Sequence, residues 1–488
     1  MTTSKTNDRL SGYDRFVRQC MRDWDVPGAA VGIVKGSRTI YAKGFGLRDV
    51  RRRLPVTENT LFGIASCTKA FTATAVGILV DEGTLEWDVP VRNYLPEFKM
   101  YDPVATQRMT LRDLLTHRSG LPAHNYVWSA PSASRPELLK RLRHLKPNKD
   151  FRSTYQYNNL MYMAAGAALE RVTGQTWEEF VKERILLPTR MNNSRFWTGG
   201  FSEKDGLAIG YLAGQGARPA PRHPGAHNRP YAIAPAGSIV TDVGDMCRWV
   251  RLQMAGGGIG NNAVISKHSL NEIHTPQTVF AGEANGPGLL DASYAMGWIV
   301  QPYRGHRWIH HYGGFAGFTA LTSFMPEESI GVVVLANMFG LPPFATAVSL
   351  NAYERLLGLS PARWYVKQKK RAKRGEHQAP KTSHSKRKRC ALPSRPLEQY
   401  AGEYRDPGYG RLAVSLELGR LVLRYNAMVF SLTHREGDGF DMADRHERKF
   451  SVAFNPDKVG KVTSVAIPLE PAVDDIVFKK LSKRTSRR

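Results

Sequence analysis

The sequence predicts an α/β (α+β) chain: an antiparallel sheet with flanking helices and a helical insertion, followed by a small all-β barrel domain. Three observations carry this reading. Two strand-like runs near the start are answered by four far along the chain, and the stretch between them is mostly helical or looped. Beyond a basic linker the chain breaks into short alternating segments separated by turns. With 488 residues, 42% of them hydrophobic and 10% aromatic, it has a globular composition and length for two or three domains.

Taken in order, Asp14 to Trp24 reads as an amphipathic helix through Phe16, Val17, Cys20, Met21 and Trp24. Residues 28–36 and 38–46 follow as strands joined at Gly36 and Ser37, a hairpin pattern. Leu61 to Gly83 begins as a short apolar run and becomes a helix, with Ala70, Ala73, Val76 and Val80 at helical spacing and Gly83 at its end. In the helical middle, Thr110 and Asp113 form a capping box, with stops at Gly120 and Pro122. Asn158 to Thr173 is a helix ended by Gly174, and Thr176 starts another that runs to Ile185. Residues 235–258 read as a glycine-containing loop and a capped helix. Strands return at 294–300, 307–315, 318–326 and 331–338, and Ala345 to Leu357 closes the region as a helix. From Leu397 the turns DPGYG, GDG and PDKVG punctuate alternating segments, as in a small antiparallel barrel.

The totals exclude some functions. Cys20, Cys67, Cys247 and Cys390 are scattered without a CxxC pair, which argues against a disulfide framework or a zinc site. The opening MTTSKTNDRLSGYDRF lacks the apolar centre of a signal peptide, and no apolar run reaches the roughly 20 residues of a membrane span. A cytoplasmic protein with no membrane contact is the expectation. The net charge of +26 is concentrated: eleven Lys/Arg and one acid lie between Lys367 and Arg389, and six Lys/Arg and no acid between Lys479 and Arg488. Such runs are solvated and make weak, salt-dependent contacts with polyanions, so they say little about the folded parts.

Chemistry points to the head of the Leu61–Gly83 helix. Ser66 and Lys69 stand one turn apart and share a face. A serine hydroxyl needs a base to become a nucleophile, and a desolvated lysine can be one. The helix N-terminus adds free N–H groups and a positive dipole end. S-x-x-K alone is weak: it recurs at Ser383…Lys386 and Ser385…Lys388, in a polar basic stretch that cannot form a dry pocket.

Two more motifs make the pattern specific. Tyr157-Asn158-Asn159 is the only Y-x-N in the chain and immediately precedes a helix, and His311-Tyr312-Gly313-Gly314 lies on a late strand. This trio resembles the serine β-lactamase and penicillin-binding-protein superfamily. Within it the chain is most similar to the class C-type CubicO-group peptidases, which include D-aminopeptidases and esterases. VPGAAVGIV, LLTHRSGLP, the PAG loop and PEESIGVVVLANM support the likeness over about residues 14–357. The C-terminal part resembles the lipocalin-like barrel attached to some of these peptidases. The expected organisation is a hydrolase domain over 1–360, a flexible basic linker over 361–393, the barrel over 394–481 and a basic tail over 482–488.

The resemblance implies an acyl-enzyme on Ser66, with Lys69 and Tyr157 sharing the serine proton and passing it to the leaving group. Asn159 would position Lys69 or the substrate amide, and His311 would hydrogen-bond Tyr157 or the substrate. The backbone N–H groups of Ser66 and Gly314 would form the oxyanion hole, worth about 3–4 kcal/mol per donor. Gly313 and Gly314 suit a strand that a substrate backbone approaches closely. No metal or cofactor is implied. His310 adjoins His311, and the glycine spacing favours His311. His117 and Arg118 read as bracing a helix end, and Cys67 as a small core filler. Tyr312 stands where the motif usually has a small residue and is expected to narrow the cleft, disfavouring penicillins. The substrate is then a small peptide, amide or ester, peptidase and esterase remaining open. A weak β-lactamase, or a silent scaffold whose linker binds polyanions, is the alternative. A homo-oligomer is compatible with all of these.

Overall fold

The computed structural model describes residues 9–128, 133–197, 205–212, 220–222, 232–259, 262–280, 291–340, 342–362, 392–426, 428–443 and 449–482. The basic run from Lys367 to Arg389, Cys390, the second and third S-x-x-K repeats and residues 483–488 lie outside these. Two compact units make up the chain. Met1–Pro96, Met109–Arg118 and Met161–Ala379 form the first; Glu97–Arg108, Ser119–Leu160 and Pro380–Arg488 form the second.

The first unit is built on an antiparallel sheet drawn from both ends of its sequence. Its strands are β1 (Gly28–Lys35), β2 (Arg38–Asp49), β3 (Leu54–Pro55), β4 (Thr278–Phe280), β5 (Ala292–Tyr294), β6 (Ile299–Tyr303), β7 (His306–Phe315), β8 (Phe318–Met325) and β9 (Ile330–Ala336). Among the described residues they run β4-β5-β6-β7-β8-β9-β1-β2-β3. The early hairpin is sealed to the late strands by β1 against β9, with Ala29 opposite Ala336 and Val31 opposite Val334. The expected strand over 294–300 is two strands instead. They break at Gly297, whose φ of +79° turns the chain and whose missing Cβ leaves room for Lys69 and Ala70, at 2.9 Å from where that atom would sit.

Helices cover both faces. α1 (Tyr13–Asp23) and α6 (Pro342–Leu357) bury one face with Tyr13, Val17, Trp308, Val332, Phe344 and Val348. On the other face lies α4 (Val243–Met254), close enough that a Cβ on Gly32 would meet Cys247 Sγ at 2.4 Å and one on Gly331 would meet Val250 at 2.1 Å. Against α4 stacks α2 (Thr68–Asp81), the Phe71 and Trp249 rings 3.7 Å apart. Thr68 to Leu79 is buried throughout, so this helix is covered on every side and belongs to the interior. Further along come α3 (Asn159–Thr173) and α5 (Lys267–His274). Among the described residues no helix is long and apolar enough to cross a membrane.

In the second unit, eight described strands close into the expected barrel: β10 (Gly402–Asp406), β11 (Gly410–Glu417), β12 (Arg420–Tyr425), β13 (Met428–Glu436), β14 (Gly439–Ala443), β15 (Lys449–Pro456), β16 (Val462–Ile467) and β17 (Ile476–Lys480). Closure is made by β10 on β17, with Tyr404 opposite Lys480. Tyr404, Leu423, Phe440, Val452, Phe454 and Phe478 are buried, so side chains fill the interior, as in other small barrels. At the barrel's start Arg395 grips Asp438 with Nε and Nη2 at 2.8 and 2.9 Å.

Candidate active site

Ser66 sits in a single 3-10 turn, Ala65–Cys67, that leads into α2. Ala65 takes a φ of +45°, a left-handed conformation costing a non-glycine residue about 1–2 kcal/mol. Its neighbours hold it there. Ile64 N–H donates to Ile239 O at 3.0 Å, and Phe62 and Gly63 pair with Thr241 and Val240. Half-buried Ser66 is thereby presented at a rigid strand-to-helix corner.

One turn on, Lys69 is wholly buried. Its Nζ lies 3.2 Å from Ser66 Oγ and donates to Ala236 O at 2.9 Å, and it stands 5.3 Å from the centre of the Tyr162 ring. Burial lowers its pKa well below that of an exposed lysine. The PAG loop is pinned to the same helix by Thr72, whose hydroxyl donates to Pro235 O at 2.6 Å. An amine whose charged form burial disfavours gives up its proton more readily, and its neutral form has a lone pair that can accept a hydroxyl proton.

β7 supplies the opposite wall. Alternation along the strand puts Trp308, His310 and Tyr312 towards α6 and Ile309, His311 and Gly313 towards Ser66. Trp308 and His310 stack at 3.7 Å, and the Tyr312 and Thr346 hydroxyls are hydrogen-bonded at 2.7 Å. Tyr312 therefore faces the α6 side of the sheet and does not narrow a cleft at Ser66, which removes the argument against penicillins drawn from it. A Cβ on Gly313 would lie 1.9 Å from Ile64 O and 3.3 Å from Ser66 N, whereas one on Gly314 would meet the Phe339 ring at 3.2 Å. Gly313 is thus required by the serine turn itself. The Cys67 thiol donates to His311 O at 3.2 Å, and burial pushes its pKa up to about 12, so it remains a thiol.

The imidazole of His311 has a fixed tautomer. Nδ1–H donates to Tyr312 O at 2.6 Å, leaving Nε2 to accept from the Tyr294 hydroxyl at 3.0 Å. Burial, then the positive charge available at Lys69, pushes its pKa down to about 3. Three neighbours escape sequence reasoning. Tyr294 reaches His311 from β5, two strands away. Tyr162 lies beneath Lys69. His117 is buried, its ring centre 4.6 Å from that of Tyr294 and 5.2 Å from that of Tyr162; burial first, then Lys69 and His311, lowers its pKa well below the usual value. Only Arg118 braces the helix, donating to Asp113 at 2.5 Å. The φ of +58° at His117 turns its ring from the helix end to this cluster. The helical periodicity of TLRDLLTH gives no sign of that turn.

Buried neutral histidines make the first unit acid-sensitive. The pKa values of His274 and His311 are both about 3 when folded. Below pH 6.5 the unfolded chain takes up protons that the folded one refuses, so stability is full above about pH 7 and falls towards pH 3. Each of the two should cost about 2 kcal/mol between pH 7 and pH 5. Urea midpoints at those pH values check this, and equal midpoints would contradict it.

Tyr157, Asn158 and Asn159 belong to the second unit, just before and at the start of α3. Asn158 is structural: Nδ2 donates to Pro122 O at 2.6 Å and Leu121 O at 3.3 Å, and Oδ1 accepts Leu160 N–H at 2.8 Å. The site residues that the structure brings together in the first unit are Ser66, Lys69, His311 and Gly313, with Gly314 next on the same strand.

A buried lysine paired with a serine at a helix head, faced by a glycine-bearing strand, defines a class of fold that comparison with known proteins identifies. The profile of the Beta-lactamase family matches residues 13–356, and the chain belongs to that family. Residues 386–480 match DUF3471, a domain of unknown function. Among curated relatives, an unguisins hydrolase of Aspergillus campestris is 28% identical over 437 residues, covering 84% of this chain and 79% of its own. The matched region spans only 60% of a second unguisins hydrolase, from Aspergillus violaceofuscus. Among solved structures, the octameric penicillin-binding protein homologue from Pyrococcus abyssi aligns over 96% of this chain and 100% of its own, with a TM-score of 0.62 and 23% identity. A class C beta-lactamase aligns over 72% of this chain and 97% of its own, with a TM-score of 0.59 and 21% identity.

Proposed function

We propose that the protein is a serine hydrolase that forms an acyl-enzyme on Ser66 and cleaves amide, peptide or ester bonds. The observation that carries this is the buried Lys69 amine, low in pKa, at 3.2 Å from Ser66 Oγ. As Oγ attacks a substrate carbonyl carbon, its proton passes to the Lys69 lone pair while Ala236 O keeps the amine oriented. The carbonyl π-electrons move onto oxygen, which the N–H groups of Ser66 and Gly314 would stabilise. Collapse expels the amine or alcohol, which takes a proton through Lys69 and Tyr157. Water then repeats the sequence on the ester and restores the serine. His311, neutral and a hydrogen-bond acceptor at Nε2, orients the Tyr294 hydroxyl within this wall. Asn159 is assigned to the substrate amide or to Lys69, from the motif it shares with the family.

The hydrolase name of the Aspergillus campestris relative supports this reading, and the octamer named for the Pyrococcus abyssi homologue supports self-assembly. Amides with a D-residue at the acyl side are the preferred substrates, short acyl esters the second choice. A panel of D- and L-amino-acid amides, acyl esters and penicillins against wild type and Ser66→Ala tests it. Turnover by the wild type alone is expected, D-amides leading. A preference for L-amides would remove the D-aminopeptidase form, and turnover that survives Ser66→Ala would remove the mechanism.

A further inference from the structure

The second unit holds an arrangement that the proposed chemistry does not use. His124 is buried with a φ of +43°, an unfavourable backbone for a non-glycine residue that must be held by its surroundings. Every polar group of the residue's N–H and ring is engaged. Its backbone N–H donates to Glu470 Oε2 at 2.7 Å, its Nε2 lies 3.0 Å from Lys146 O, and its Nδ1 lies 2.7 Å from the Tyr409 hydroxyl. A carbonyl can only accept, so Nε2 carries the proton and Nδ1 accepts from Tyr409. Burial lowers the pKa of His124, in keeping with this neutral tautomer. Two residues on, Tyr126 O accepts from the Tyr425 hydroxyl at 3.0 Å, and the Tyr126 ring meets Phe450 edge-on. Tyr409, Tyr425, Phe450 and Glu470 all belong to the barrel region.

The same segment is grasped from its other side. Leu121 and Pro122, just before His124, present the two carbonyls that Asn158 Nδ2 holds. Asn158 is the middle residue of Tyr157-Asn158-Asn159, and its Oδ1 caps the first turn of α3. Hydrogen bonds from the barrel to His124 and Tyr126, and from Asn158 to Leu121 and Pro122, therefore link the barrel to the Y-x-N motif through one short stretch of backbone. Such a linkage transmits position because the bonds of Glu470 and Tyr409 to His124 and of Asn158 to Leu121 and Pro122 are buried and directional.

We propose that Tyr409 and Glu470 of the barrel are positioning residues for Tyr157 and Asn159, acting through His124 and Asn158. The barrel thereby becomes part of what orients these two residues. This rests on the reading of Tyr157 and Asn159 as site residues given above.

The full-length Tyr409→Phe and Glu470→Gln variants test it. Tyr409→Phe keeps the ring that packs edge-on against Phe478 and deletes only the hydroxyl. Hydrogen exchange should quicken about tenfold at residues 119–127 and 157–160 while β10 to β12 stay unchanged. With the best substrate of the panel, kcat should fall about tenfold and KM stay within twofold. In a Tyr157→Phe background, adding Tyr409→Phe should cause a clearly smaller further fall, the part that passes through Asn159. Unchanged exchange at 119–127 and 157–160, exchange that rises equally through the barrel, or an equal rate loss in the Tyr157→Phe background would each overturn the proposal. If wild type shows no Ser66-dependent turnover, the functional reading fails separately, and the exchange data still decide whether the barrel fixes this segment.

Discussion

Lys69→Met should slow acylation of Ser66 about a thousandfold, within the range for loss of a general base, and leave stability within about 2 kcal/mol of wild type. The two effects diverge because Lys69 is costly to the fold. Burying an amine disfavours its charged form, the sense of its lowered pKa. Methionine fills similar space and removes that cost. Against this, Ala236 O loses its 2.9 Å donor, a loss of about 1–3 kcal/mol when a buried acceptor is orphaned. The pH profile carries the sign. Only the neutral amine can take the serine proton, so wild-type acylation rises with pH through the depressed pKa of Lys69 and then levels. The variant should lack that rise. Stopped-flow acylation and thermal melting measure both, and a variant that keeps the wild-type pH limb would assign the base elsewhere.

Gly313→Ala should abolish acylation and destabilise the first unit by about 3 kcal/mol, the upper part of the range for overpacking. The new methyl group would lie 1.9 Å from Ile64 O, and neither side can retreat. At Gly313 β7 is paired with Ala320 of β8, and the serine turn is tied to Ile239. Gly314→Ala is the control. It meets only the Phe339 ring, at 3.2 Å, and Phe339 is 43% exposed and able to swing away, so it should cost less than about 1 kcal/mol. Equal urea midpoints for the two variants would show that the strand and the turn are not rigidly opposed.

Much of this architecture is legible in the sequence because it follows from local periodicity and turn chemistry. The hairpin at Gly36, the Thr110–Asp113 capping box and the alternation of Trp308, His310 and Tyr312 against Ile309, His311 and Gly313 are all of that kind. The motif spacing that selects His311 over His310 agrees with the face on which each ring lies. What the sequence hides depends on contacts made far along the chain. Tyr294 meets His311 only because β6 lies between their strands, and a run that reads as one strand over 294–300 breaks at Gly297 to clear α2. Ala236 contributes a backbone carbonyl, which no side-chain pattern announces. Tyr312 is a misreading of a different sort. Its alternation away from His311 follows from strand geometry, but its hydroxyl finds Thr346 on α6, a partner invisible without the packing of that helix. His117 and His124 share one cause: both adopt left-handed backbone conformations, which redirect a side chain from where helical or extended spacing would aim it.

The measurement that bears most directly on the account is intact-protein mass after brief exposure to an activated ester, a penicillin and a D-alanine ester. Wild type and Ser66→Ala are run side by side, both shown to be folded by circular dichroism. The account predicts that wild type gains the mass of one acyl group from at least one reagent and that Ser66→Ala gains none. An adduct of equal yield on both proteins, or none on a folded wild type from any reagent, would contradict it.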